Sequence, residues 1–366
     1  MKKLIYQVIV IVLFAGVCFS QNAGKDNLKP VEIAGAHLQH VFSKIVNQEY
    51  DLYINLPGGY KDSTKTFPVL YLVDGQWDFT LGYTIYGQQF YDGFVPEMVI
   101  VGITWGGNKP NYDQLRGRDL TPTQTMQQQP SGNATKFLES IRKEIIPFVE
   151  SKYRVNKDRG LWGSSYGGLF TIYAMLTETD LFNRYFLTSP SLQYDNQLLF
   201  KLEESYYEKH KELNARVYMA MGGLEYTQLF QKFCETLKGR NYKGLEFDYK
   251  IVDGMAHSGT KAEGFARGIK FVYEKPNIKV DVSILKQYEG TYEFAPGMNM
   301  KIFLENDQLS VLSPDNSKFS LNAETDSDFF IKGAKVLVHF TKDDSGKVNG
   351  FMMDMNNSKR FIKKVN

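Results

Sequence analysis

The sequence predicts an α/β fold with a mainly parallel sheet, followed by a small all-β domain. Three observations carry that prediction. Phe67-Pro68-Val69-Leu70-Tyr71-Leu72-Val73 and Met98-Val99-Ile100-Val101-Gly102-Ile103 are continuous apolar runs, the pattern of strands buried on both faces. From there to Tyr273, strand-like runs alternate with stretches of helical spacing, which places helices on both faces of a parallel sheet. After Lys275-Pro276-Asn277 the pattern changes to short alternating runs cut by turns such as Pro296-Gly297, Asn306-Asp307 and Lys332-Gly333, the signature of a barrel or sandwich.

The 366-residue chain divides on this reading into residues 1–20, 21–275 and 280–366. The first segment has the plan of a secretory signal peptide. Met1-Lys2-Lys3 is a positive start, Leu4 to Phe19 is almost wholly apolar, and Ser20 offers a small residue for cleavage. A lipoprotein reading through Cys18 ranks second, because Val17 stands where a small residue is expected, and a retained anchor ranks third. The expected location is periplasmic or secreted, with no membrane span once the segment is removed. Cleavage leaves Cys234 as the one cysteine, so no intramolecular disulfide forms. It also removes Lys2 and Lys3, leaving basic and acidic side chains equal at 41 each. That balance argues against nucleic acid or an anionic membrane surface as a partner.

The elements follow in order. Alternation between Val41 and Leu56 predicts antiparallel strands, closed at Pro57-Gly58-Gly59-Tyr60. The Phe67–Val73 strand ends in a tight turn at Asp74-Gly75-Gln76-Trp77. The Met98–Ile103 strand leads into a long polar loop from Trp105 to about Gly132, a length often tied to function. Phe137, Ile141, Ile145 and Phe148 place a helix over 133–153. A short strand over 159–162 and a buried helix from Gly168 to Leu176 come next. Strands at 184–190, 216–221 and 245–252 then alternate with helices at 196–211, 227–237 and 260–273.

Between the 159–162 strand and its helix stands Gly163-Ser164-Ser165-Tyr166-Gly167, a G-x-S-x-G pattern between strand and helix. That is the context of a nucleophile elbow, which holds a serine strained at the tip of a sharp turn. A serine hydroxyl needs a base at neutral pH. Of the five histidines, His257 lies in a loop just after the last strand of the α/β part, where such folds place active residues. His210 lies in a charged helical stretch and His339 in the β domain. His37 and His40 have a spacing that would bind metal on a helix, but no acidic or cysteine cluster supports it. No metal or cofactor is expected. The third group should be an acid that orients the imidazole. Glu225 follows the 216–221 strand and fits best, with Asp253 and Asp195 as rivals. The oxyanion donors should be the N–H of Tyr166 and one from the Gln76–Trp77 turn. Trp105, Arg116, Arg118, Trp77 and Ser191 are candidates to line the substrate site. For Arg118 the competing reading is an ion pair with Asp119 that fixes the loop.

Val69-Leu70-Tyr71-Leu72-Val73-Asp74-Gly75, Arg118-Asp119-Leu120-Thr121-Pro122-Thr123, Gly163 to Gly168 and the His257 loop together resemble the putative-esterase (esterase D-like) family of α/β-hydrolases. The likeness covers about residues 30 to 275. That family includes ferric-siderophore esterases, feruloyl and acetyl-xylan esterases, S-formylglutathione hydrolases and mycolyltransferases. The resemblance implies Ser165 as nucleophile, His257 as base and Glu225 as acid by position. The sequence departs from the pattern after Gly75, where Gln76-Trp77 replaces a glycine string. The β domain resembles a module of unknown function attached to bacterial hydrolases. The expected activity is an exported serine carboxylester hydrolase acting on a siderophore-type lactone or an acylated carbohydrate ester. An acyltransferase and a non-catalytic binding protein on the same scaffold are the alternatives.

Overall fold

The computed structural model describes residues 31–61, 64–275, 277–355 and 358–365. The expected signal peptide over residues 1–20, with Cys18, lies outside the described residues. Strand β1 (Ala36–Ser43) pairs antiparallel with β2 (Gln48–Asn55), whose Tyr50, Leu52 and Ile54 are buried at every second position. Strand β3 (Phe67–Leu72) is the predicted buried run. It enters helix α1 (Gly75–Tyr91) directly, where the sequence predicts only a turn. Asp74 makes the transition in the left-handed region, φ 57°. The helix buries Gly75, Asp78, Phe79, Gly82 and Tyr86, so its inner face shows little apolar periodicity.

Strand β4 (Val99–Trp105) is buried at all seven positions and pairs with both β2 and β3. The expected long loop holds helix α2 (Tyr112–Leu120), capped by the Asn111 side chain on the Gln114 N–H. The predicted 133–153 helix is α3 (Ala134–Ser140), a π turn (Ile141–Ile145) and α4 (Ile146–Lys152). Pro147, which has no N–H to donate backwards, follows the widened turn. Strand β5 (Val155–Ser164) is longer than the short strand expected over 159–162. It feeds α5 (Tyr166–Thr177). Then come β6 (Arg184–Thr188), α6 (Tyr194–Lys209), β7 (Glu212–Gly222), α7 (Gln228–Arg240), β8 (Lys243–Val252) and α8 (Thr260–Tyr273).

The sheet order is β1-β2-β4-β3-β5-β6-β7-β8, parallel from β4 through β8. The connections after β3, β5, β6, β7 and β8 therefore gather along one edge. That edge is where an open parallel sheet presents its chemistry.

Helix α9 (Val282–Tyr288) precedes the β domain, an element the all-β reading did not contain. Eight antiparallel strands within residues 290–364 then close into a barrel. Closure leaves no free edge to pair with another chain. Tyr288 of α9 stacks on Phe340 at 4.0 Å between ring centroids, and Tyr292, Phe351 and Ile362 complete the core. The barrel meets the α/β part through Lys275–Glu324 (2.8 Å) and Lys335 over the Phe90 ring (4.0 Å).

Candidate active site

Ser165 stands between β5 and α5 with φ 60° and ψ −116°. This is a sparsely populated conformation for a non-glycine residue, the kind that clusters at functional sites. Its N–H donates to the Thr188 carbonyl at 3.1 Å, tying the turn to β6. A Cβ on Gly163 would lie 2.2 Å from the Gly167 carbonyl oxygen, so the turn closes only with glycine there.

Glu225 follows β7 and His257 follows β8, its neighbour in the sheet. His257 Nδ1 and Glu225 Oε2 are 2.6 Å apart. The other carboxylate oxygen accepts from Ser189 Oγ at 2.6 Å and from the Gly222 N–H at 2.9 Å. The Glu225 side chain is 13% exposed and that of His257 49%. The acid is thus held by Ser189, Gly222 and His257, from the ends of β6, β7 and β8, while the imidazole keeps an open face. Gly222 is required by crowding, since a Cβ would lie 2.4 Å from the Met255 carbonyl and 2.9 Å from Glu225 Oε1. The rivals stand elsewhere. Asp253 is exposed in the turn after β8, and Asp195 accepts from Thr123 Oγ1 at 2.6 Å. Ser189 as a partner of the acid was not foreseen. No sequence signal marks it, because the contact depends on β6 lying beside β7.

Helices α1 and α5 begin at the same edge. In α1 the N–H groups of Trp77 and Asp78 both reach the Asp74 carbonyl, and in α5 that of Leu169 reaches Ser165 O. The N–H groups of Gln76 and Tyr166 stand ahead of these first-turn bonds, where helices leave donors unpaired. Helix N-termini favour negative charge. The Gln76 side chain turns inward and accepts from Thr104 Oγ1 at 2.7 Å.

Arg116 forks onto Asp74, with Nε to Oδ1 at 3.0 Å and Nη2 to Oδ2 at 2.8 Å. Its guanidinium also sits 5.5 Å from the Trp77 ring centroid and 5.3 Å from that of Tyr166. Burial pulls the guanidinium's pKa down, but its hydrogen bonds to the Asp74 carboxylate, with that group's charge, outweigh burial and hold it above its ordinary value. Beneath them Asp78 is 2% exposed and takes Lys261 Nζ at 2.7 Å. Burial raises its carboxyl against the pull of that lysine.

Two of the proposed substrate-site residues are structural. Trp105 is 2% exposed and donates Nε1 to Asp119 at 2.7 Å, so it cannot meet a substrate. Arg118 forks onto the same carboxylate at 2.7 and 2.8 Å, the pairing reading given above. Tyr50 Oη and Asn133 Nδ2 complete the shell of Asp119, which anchors the 112–134 segment to the sheet. Trp77, 48% exposed, and Ser191, whose N–H donates to Ser165 O at 3.2 Å, do stand at the candidate site. His37 and His40 lie on strand β1, not a helix, and bind Tyr153 Oη and Asp51, both at 2.7 Å. Among the described residues no cluster of three or more His, Cys, Asp or Glu could hold a metal ion.

Two lobes open at this edge. One, of about 330 Å³, is mostly apolar and reaches His257 and Glu225, with Met221, Leu229 and Phe230 in its wall. The other, of about 480 Å³, is mostly polar and reaches Tyr166. Ser191 and Gln193 line both.

A family model described as Putative esterase matches residues 43–258, and one for a domain of unknown function matches residues 274–364. The ferri-bacillibactin esterase of Bacillus subtilis is 28% identical over 272 residues, covering 68% of this chain and 93% of that protein. The siderophore enterobactin esterase of Emericella nidulans is 31% identical over 150 residues, 37% of this chain and 50% of that protein. Among solved structures, an IroE-like serine hydrolase from Shewanella oneidensis superposes with a TM-score of 0.60 at 28% identity, covering 69% of this chain and 84% of that one.

Proposed function

The chain belongs to the putative-esterase family and is a carboxylic ester hydrolase, and from that premise we propose that Ser165, His257 and Glu225 carry its chemistry through an acyl-enzyme. The observation that carries the proposal is the 2.6 Å contact of His257 Nδ1 with Glu225, beside a serine held at positive φ on the same sheet edge. Glu225 keeps the Nδ1 proton in place and stabilises the imidazolium, which leaves Nε2 free to act as base.

Ser165 Oγ attacks the ester carbonyl and its proton passes to His257 Nε2. The oxyanion accepts from the Tyr166 and Gln76 N–H groups. The tetrahedral intermediate expels the alkoxide, which takes the proton from His257. Water then attacks the acyl-enzyme, His257 removes its proton, and collapse releases the acid and restores Ser165. Arg116 acts indirectly: it clamps Asp74, where α1 begins, and lies against Tyr166, so it steadies both oxyanion donors.

The relatives are named for siderophore esters, which supports a siderophore-type lactone as substrate, with an acylated carbohydrate ester as the other candidate class. The N-terminal pattern of residues 1–20 supports export to the periplasm or beyond. The test is a fluorophosphonate probe on the purified protein, with the adduct mapped. Labelling at Ser165 that is lost in His257→Ala is the expected result. A folded protein that does not label rejects the assignment.

A further inference from the structure

We infer that the lumen of the C-terminal barrel is a binding site for a small, uncharged, hydrocarbon-like molecule. The site is separate from the sheet edge described above, and the inference does not rest on the triad reading. An eight-stranded barrel is just wide enough for its side chains to fill it or for one small ligand to lie inside. This barrel is filled at one end and hollow at the other.

The filled end is a plug of rings. Tyr288 of α9 stacks on Phe340, and Tyr292 and Phe329 pack edge-on against the same ring. The Tyr288 hydroxyl donates to the Asp326 carbonyl at 3.0 Å and that of Tyr292 to the Tyr288 carbonyl at 2.7 Å. Both polar tips carried in with the rings are therefore paired. The other end is lined by smaller groups, among them Val311, Ile331, Val336 and Val338. They leave a cavity of about 240 Å³. Phe351 lines it and packs on Phe340 at 5.6 Å, so the plug forms its floor. From there the cavity runs up to the turns at 296–297, 313–317 and 332–335. Phe319 and Met355 in its wall are 42% and 43% exposed, so the apolar surface continues to solvent.

The lining decides the chemistry of the ligand. It contains no charged side chain, and Ser313 is its single polar one. The Ser313 hydroxyl lies 2.5 Å from Asp315 Oδ1 and 2.9 Å from the Ser317 carbonyl oxygen, which engages its proton. Water is held in such a space only by several polar partners, and an ion would lose its hydration with nothing in return. An apolar molecule loses nothing there. Met300, Met353 and Met355 give the wall adaptable, unbranched side chains, and Phe294 and Phe319 add rings. A dry cavity of about 150 Å³ with Leu, Ile and Phe walls takes up benzene. In proportion, this lumen has room for about ten carbon atoms.

Naphthalene, two fused rings without a polar atom, is the probe, and equilibrium dialysis against the full chain reads its uptake. Uptake should saturate at about one molecule per chain. Naphthalene-1,5-disulfonate carries a charge at each end, so one charge would have to enter the lumen, and it should bind at least about 100-fold more weakly. Val336→Phe and Val311→Phe each put a ring into the cavity and should weaken naphthalene binding by about 10-fold or more. Thermal melting by circular dichroism shows whether a variant is folded, and the second serves if the first is not. Absence of saturable uptake, equal binding of the disulfonate, or unchanged binding in a folded filling variant overturns the inference. Labelling of Ser165 by a fluorophosphonate reads the triad independently, so a protein that labels yet takes up no naphthalene loses this inference alone.

Discussion

The molecule holds two histidine–carboxylate pairs of the same length. His257 Nδ1 meets Glu225 at 2.6 Å, and His339 Nδ1 meets Asp328 at 2.6 Å. The first links two loops at the edge of the parallel sheet. The second joins cross-strand neighbours in the barrel, where Asp328 is registered against His339. Glu225 is 13% exposed and braced by Ser189 and Gly222, whereas Asp328 is 42% exposed and braced by Thr325. Among the described residues only the first pair touches a serine at positive φ, Ser189 at 44°. An imidazole–carboxylate contact is therefore no signature of catalysis by itself. What distinguishes the sheet edge is the convergence of the proposed nucleophile, two helix N-termini and a half-buried acid from separate strands.

Experiments can break or sharpen that contrast, from the largest effect to the smallest. Ser165→Ala should lower ester turnover by at least about 10⁴-fold with thermal unfolding unchanged, since loss of a nucleophile removes the unit as a whole. Glu225→Gln keeps the shape but presents the wrong hydrogen-bonding group to Nδ1; kcat should drop by about 10²- to 10⁴-fold, read from steady-state kinetics. Ser189→Ala removes one of three donors to Glu225, and kcat should fall by about 10-fold with KM nearly constant.

In the barrel, His339→Ala should leave kcat/KM within about twofold and cost less than about 1 kcal/mol in denaturant unfolding, as exposed ion pairs do. A larger activity loss would mean that the barrel communicates with the site. The smallest effect is in pH. Burial tends to raise the Asp328 carboxyl, but hydrogen bonds from Thr325 and His339 prevail and hold it below its ordinary value. Its stabilisation is therefore present above the unfolded value, about 3.9, and is lost as pH falls through the folded one. The Tm of wild type should exceed that of Asp328→Asn near pH 6, and the gap should shrink toward pH 3.

Much of the site was legible because its spacing is local. The elbow needs Gly163 and Gly167 within four residues of each other, and the alternation of strand and helix places the tips of β5, β7 and β8 on one edge. The errors share another cause. Helix α1 was missed because it buries glycines and a charged Asp78 whose partner, Lys261, lies far along the chain. Trp105 opens a polar stretch, yet it donates to Asp119, a buried carboxylate onto which Arg118 also forks, the pairing the sequence offered as its competing reading.

The sequence by itself determined the alternating architecture and the sharp G-x-S-x-G turn at Ser165, because each rests on residue type and short spacing. Tertiary structure alone decided that Glu225 is the acid in contact with His257, that Arg116 lies against Tyr166, and that an amide-lined lobe opens there. Those outcomes depend on which strands are neighbours, and side chains distant in sequence meet only after the sheet has assembled.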